Sequence, residues 1–207
     1  MKERGMIFNG EMVRALLDGR KMQTRRPIKP QPELTERSGF SWKNRVYGSG
    51  STDRETNRNF AHIACPHGKP GDRIWVRETF SIVPDHDEPA GSAAVLYAAD
   101  GTGPYGKWRP SIHMPREYSR ILLEISNVGV QRIQSISQND AAREGLIRLP
   151  ATGRYCLNQG DQYFGGASHD AREVFSWLWS DIYGEENWNA NPWVWVIEFK
   201  RVEEGAV

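Results

Sequence analysis

The sequence predicts an α+β fold, a curved mixed sheet or small barrel of strands with flanking helices and two loop insertions. Three observations carry this. Helical and strand-like segments are interspersed without the regular βαβ alternation of a parallel doubly wound sheet. The C-terminal run WVWVIEFKR, residues 193–201, is apolar on both faces over its first five positions, the pattern of a strand with neighbours on both sides. No Gly-rich phosphate loop of the Walker or Rossmann type occurs, which excludes the commonest nucleotide-triphosphate and dinucleotide enzymes. The 207 residues suit a single domain, 1–207, because a second core would leave each half small.

In chain order, GMIF at 5–8 reads as a first strand. Asn9 is placed to cap a helix over residues 10–18, where Met12, Val13, Leu16 and Leu17 share a face. Gly19 then stands where a left-handed C-terminal cap belongs. Residues 22–26 read as extended, since Pro27 disfavours a helical conformation at Arg26. Polar residues with Pro, Gly, Ser and Asn fill 27–70, which reads as the first insertion, a structureless stretch. A Pro-Gly turn opens a strand at 73–82, another strand follows at 93–98, and a long one spans 119–130. Ser137 and Asp140 have the spacing of a helix cap, and Gly145 closes that short helix. The Gly-rich residues 148–168 form the second insertion. Asp170 then caps a helix in which Ala171, Val174, Phe175, Leu178 and Ile182 make an apolar stripe.

The overall charge of +1 conceals an asymmetry: residues 1–80 carry 16 Lys and Arg against 9 Asp and Glu, and residues 81–207 carry 11 against 17. Arginines outnumber lysines 20 to 7, and the planar guanidinium suits phosphates and base edges. A nucleic-acid or nucleotide partner fits this pattern, as does an arginine-rich surface with ordinary ion pairs. The longest fully apolar run, AAVLYAA at 93–99, is far short of the roughly 20 residues of a membrane helix. The N-terminal residues lack the apolar stretch of a secretory signal. Two cysteines 91 positions apart give no disulfide framework, so a reducing cytoplasm is the expected compartment.

The densest polar cluster is GRKMQTRR, Gly19–Arg26: four cations and a hydroxyl directly after a helix cap. Such a cluster suits an anionic or carbonyl-bearing ligand, or is simply an exposed basic turn. Its pattern G-x-K-x-x-T-x-R, met by Gly19, Lys21, Thr24 and Arg26, resembles the signature of the activating-signal-cointegrator homology (ASCH) domain, a relative of the PUA fold. Gly71-Asp72 opening a strand, the A-x-x-E-G of Ala141, Glu144 and Gly145, and the closing VIEFKRV agree in order with that family. The resemblance implies a PUA-like pseudo-barrel with a cationic cleft that binds RNA, single nucleosides or modified bases. Small bacterial members with a similar signature are amidohydrolases that remove acetyl from N4-acetylcytidine, using a Lys, a Thr and a Glu. Carried over, these are Lys21, Thr24 and Glu144. This chain has Met22 where those members have Thr, and is about twice as long.

The residue chemistry is compatible with that triad. Thr24 offers a nucleophilic hydroxyl, Lys21 a base if burial among Arg20, Arg25 and Arg26 lowers its pKa, and Glu144 an acid or a group that orients Lys21. In a strand, positions 21 and 24 point to opposite faces, so Lys21 must lie in the preceding turn. Arg20, Arg25 and Arg26 are expected to bind substrate. Glu78 falls on the apolar face of the strand at 73–82 and needs a cation, expected to be Arg25 or Arg26, or else touches the ligand directly. His62, Cys65 and His67 are close in sequence but lack a clear fourth ligand, so no metal and no cofactor is expected. Trp177, Trp179, Trp193 and Trp195 are spaced for the core, whereas Trp42, Tyr47, Tyr105 and Trp108 sit where bases could stack. The expected function is nucleoside, RNA or modified-DNA binding with amidohydrolase activity on an N-acylated nucleoside. Its rival is a non-catalytic module that reads RNA or modified DNA, with Arg37, Arg45, Arg54 and Arg58 tracking phosphates.

Overall fold

The computed structural model describes residues 1–35, 39–48, 53–84 and 94–202, with the side chains of residues 53–56 and 159 excepted. In chain order the elements are β1 (Glu3–Ile7), α1 (Gly10–Leu17), β2 (Gln23–Pro27), β3 (Glu33–Leu34), β4 (Phe40–Trp42), β5 (Arg45–Tyr47), α2 (Asp53–Ala64), β6 (Arg73–Arg77), β7 (Phe80–Ile82), β8 (Val95–Tyr97), β9 (Leu122–Arg132), α3 (Gln138–Arg143), β10 (Ile147–Arg148), β11 (Tyr155–Cys156), β12 (Ala167–Ser168), α4 (Ala171–Tyr183), α5 (Glu185–Asn189) and β13 (Trp193–Arg201).

The protein is α+β, built on an open mixed sheet in the order β1-β6-β9-β13-β2. Only β1 and β6 run parallel; the other three pairs are antiparallel. The main sheet has free edges at β1 and β2, and no closed barrel forms among the described residues. Pro27 ends β2 without penalty because an edge strand has one side where a missing N–H goes unnoticed.

The central position of β13 explains its double apolarity. Trp195, Ile197 and Phe199 join one core with Phe8, Val13, Leu16, Ile74, Val76 and residues of β9. Val194, with Val196 beside it, joins a second core with Ile133, Ala141 and the Val174, Phe175 and Trp179 face of α4. The sheet therefore separates two layers, and the strand between them must be apolar on both sides.

Local rules set several boundaries. The Asn9 side chain accepts from the Met12 amide and opens α1, Ser137 does the same for Asp140 in α3, and Asp170 for Arg172 in α4. Gly19 adopts φ 71°, the left-handed conformation of a helix C-terminus. The run at 73–82, expected as one strand, is broken at Glu78 and Thr79 into β6 and β7, which belong to different sheets.

Both stretches expected as structureless carry elements. Within 27–70, β3, β4 and β5 form a small antiparallel sheet and α2 packs on the main core. Phe40 and Phe60 are stacked at 4.8 Å, and Phe60 meets Trp42 at 5.7 Å, Tyr47 at 5.0 Å and Trp195 at 5.1 Å. Trp42 is buried, with its indole N–H donated to Pro30 O at 2.8 Å, so it is core rather than a stacking platform. A few aromatics at the right spacing were enough to build a core from a segment polar by composition. In 148–168, β11 joins β10 to β12. Arg45 and Arg58 are exposed, while Arg37 and the side chain of Arg54 lie outside the described residues. No helix among the described residues is long and apolar enough to cross a membrane.

Phe60 gives a direct measure of this packing. Phe60→Ala should lower unfolding free energy by about 3–5 kcal/mol in urea denaturation, whereas a residue on a surface loop would change it by about 0.5 kcal/mol or less.

Candidate functional site

Lys21 sits in the turn between α1 and β2, as convergence with Thr24 requires. Its amide donates to Ala15 O at 3.0 Å, the Met22 amide donates to Arg143 O at 2.9 Å, and Lys21 forms an isolated antiparallel bridge with Glu144. These bonds tie the end of α1 to the end of α3, 123 positions away in sequence. Gly145, at φ 111°, makes the approach possible. A Cβ there would lie 2.8 Å from the Ala15 Cβ and 3.2 Å from the Lys21 Cβ.

Three charged side chains then meet out of solvent. Lys21 Nζ donates to Glu144 Oε2 at 2.9 Å and to the Glu144 carbonyl at 2.8 Å, and Arg25 Nη1 donates to Glu144 Oε1 at 2.7 Å. Their side chains are 0%, 1% and 3% exposed for Lys21, Arg25 and Glu144. Arg25 also donates to the Gln131 amide, turned so that its oxygen accepts from Nη2 at 2.8 Å and Nε at 2.9 Å, and its Nη2 lies 4.0 Å from Asp140 Oδ2. The Phe175 ring lies 5.9 Å from the same guanidinium. Burial, the largest influence, pulls Lys21 below the ordinary lysine pKa; Glu144 opposes it, and Arg26 and Arg25 add to the depression.

Glu144 is the member of this group that borders both hollows beside it. It borders a cleft of about 240 Å³ between α1 and α4, with Met12, Ala15, Arg20, Leu178 and Asp181 among its walls. It also borders an adjoining narrow recess lined by Thr24, Arg25 and Arg26. Lys21 lines neither, so it lies behind the carboxylate. Thr24 is 1% exposed and lines the recess, not the cleft. The cleft carries Glu11, Glu144 and Asp181 against Arg20, so its described lining is acidic on balance rather than cationic as expected.

The other arginines also hold internal partners, although the buried Arg26 Nε has none among the described residues. Arg20 binds Asp18 at 2.8 Å and donates to the Gly145 carbonyl at the rim of the cleft. Arg26 donates to Ile7 O at 2.6 Å and covers the face of Phe8 at 5.3 Å. Glu78 is not joined to Arg25 or Arg26. Its oxygens accept from Arg120 Nε and Nη2, both at 3.0 Å, and Arg120 also binds Asp100 at 2.7 Å. The break between β6 and β7 turns Glu78 toward Arg120, and burial raises its pKa against that partner.

No group of three His, Cys, Asp or Glu among the described residues is placed to hold a metal. Cys65 and Cys156 are unpaired, and burial pushes the Cys65 thiol up to about 11, away from nucleophilic use. Burial, aided by the charges of Arg26 and Arg4, pushes His67 down to about 4.

Sequence reasoning missed Gln131, which accepts from Arg25 twice, and Arg120, which claims Glu78. Gln131 had a faint signal as a lone amide at the end of an apolar strand; Arg120 had none. No family model, curated protein or solved structure matches this chain.

Removing the carboxylate strands two buried cations. Glu144→Ala should cost about 3–5 kcal/mol in urea denaturation, and Lys21→Met added to Glu144→Leu should recover part of that loss. Additive losses would mean that the pair is not coupled. His67 gives a pH test. It is neutral in the fold and charged below about 6.5 when unfolded, so its contribution is complete above pH 6.5 and declines as the pH falls toward 4. Over that window wild type should lose up to about 3 kcal/mol more than His67→Gln.

Proposed function

We propose that the chain is an ASCH-type, PUA-like protein whose Glu144 cleft takes an N-acylated nucleoside such as N4-acetylcytidine and hydrolyses its linear amide. The observation that carries this reading is the buried Lys21–Glu144 pair, whose carboxylate borders both a cleft and the adjoining recess that Thr24 lines. Amide hydrolysis needs a nucleophile, a proton acceptor that becomes a donor, and a fixed frame to hold them. In the proposed sequence the Thr24 hydroxyl attacks the acyl carbon and its proton enters the Lys21–Glu144 pair. The pair returns that proton to the leaving amine as the C–N bond breaks. Water then cleaves the acyl-threonine ester, giving the free carboxylic acid and restoring the hydroxyl.

The depressed basicity of Lys21 supports its part, because a lysine held below its ordinary value exchanges a proton nearer neutral pH. Arg25, bonded to Glu144 and Gln131, holds the carboxylate rather than touching the substrate. Arg20, the one cation in the described lining of the cleft, is held by Asp18 and the Gly145 carbonyl and would turn a remaining N–H to the substrate carbonyl. The acidic balance of the lining favours an uncharged nucleoside over a phosphate-bearing strand in this cleft. Unpaired cysteines are in keeping with a reducing cytoplasm as the place of reaction.

The decisive experiment incubates the protein with a panel of N-acylated nucleosides and follows acid release by chromatography. Lys21→Arg keeps the charge but does not deprotonate, so turnover should fall about 10²–10⁴-fold with nucleoside affinity nearly unchanged. Thr24→Ala should behave alike. Full hydrolysis by both variants, with thermal melts showing them folded, removes the triad. Binding of the panel without turnover by wild type points to the non-catalytic rival.

A further inference from the structure

A second hollow, of about 710 Å³, lies along β7 and the loop that follows β8, and shares no lining residue with the Glu144 cleft or its recess. Its wall carries two aromatic side chains, Tyr105 and Trp108, and three basic ones, Lys107, Arg109 and His113. No described residue that lines it carries a carboxylate. Asp85, Asp87 and Glu88, next in sequence after Pro84, lie outside the described residues.

The loop is held in shape by its backbone. Arg109 N donates to Phe80 O at 2.7 Å and Phe80 N to Arg109 O at 3.2 Å, forming a bridge to β7. Ser81 Oγ donates to Tyr105 O at 2.7 Å, and the His113 amide donates to Pro110 O at 3.0 Å. On the loop these bonds use only main-chain atoms; the Lys107 and Arg109 side chains are exposed, and neither is paired with a carboxylate among the described residues. Trp108, half-buried, stands between them in sequence.

We propose that this groove binds a short segment of single-stranded nucleic acid, with a base stacked on Trp108 and the backbone phosphates against Lys107 and Arg109. Aromatic faces accept any base, and neighbouring cations neutralise the phosphates without reading sequence. The charge balance separates the two hollows: the cations Lys107 and Arg109 favour a phosphodiester strand here, where the acidic cleft favours a neutral nucleoside. Strand binding and nucleoside hydrolysis would therefore be lost independently.

Fluorescence anisotropy of a labelled eight-nucleotide oligouridine, titrated with full-length protein at several salt concentrations, tests the groove. Wild type should bind, more weakly as salt rises. Trp108→Ala should weaken binding roughly 5- to 150-fold. The exposed pair Lys107→Gln with Arg109→Gln, which keeps every backbone bond, should lower the slope of log affinity against log salt by about 1.4. Hydrolysis of a free acyl nucleoside, where wild type shows it, should be unchanged in both. The proposal is overturned if wild type does not bind the oligonucleotide, if both variants bind it as wild type does, or if uridine monophosphate competes as strongly as the oligonucleotide, since the occupant is then no strand.

Discussion

Everything at the candidate site depends on one interaction, the closure of Glu144 between Lys21 and Arg25 out of water. An unpaired ion in that position would cost several kcal/mol, so the pair must form as the chain folds or the end of α3 does not dock. Docking in turn places α3 against α4 and completes the second core beneath β13. Gly145 is the steric condition for it, because any larger residue would collide with Ala15 and Lys21. Buried polar contacts of this kind add direction rather than net stability, fixing which turn meets which helix end.

That closure also explains where the positive charge of the N-terminal part goes. Arg25 is consumed by Glu144 and Gln131, Arg26 by a carbonyl and an aromatic face, and Arg20 by Asp18 and the Gly145 carbonyl. Arg4 is similarly bound to Asp72 at 3.0 Å, in the turn that opens β6. A run of cations in sequence thus becomes a set of internal braces, and the cleft beside them is acidic on balance. The aromatic groove along β7, far less conspicuous in sequence, holds the freer cations.

The two hollows differ in what confines them. The Glu144 cleft is framed by helices α1 and α4 and by a buried charge network, which suits a small uncharged molecule held in one orientation. The groove along β7 is framed by a loop pinned through main-chain bonds, leaving its side chains to adapt. A protein carrying both would combine a chemical site with a separate surface for a strand.

The sequence by itself determined the local elements. Asn9 and Gly19 bounded α1, Ser137 and Asp170 opened α3 and α4, and the unbroken apolarity of residues 193–197 announced a central strand, because caps and side-chain periodicity act over a few residues. Lys21, Thr24 and Glu144 stood out as residue types in a pattern, not as neighbours. Only the tertiary structure decided that Lys21 and Glu144 bond directly with Lys21 hidden behind the carboxylate, that Glu78 takes Arg120, and that Phe40, Trp42 and Phe60 gather into a core within a polar segment. Each of these joins positions whose meeting depends on strand register and on how two layers close over a sheet. Such pairings are set by the burial and charge compensation of the whole fold, which no local run of residues encodes.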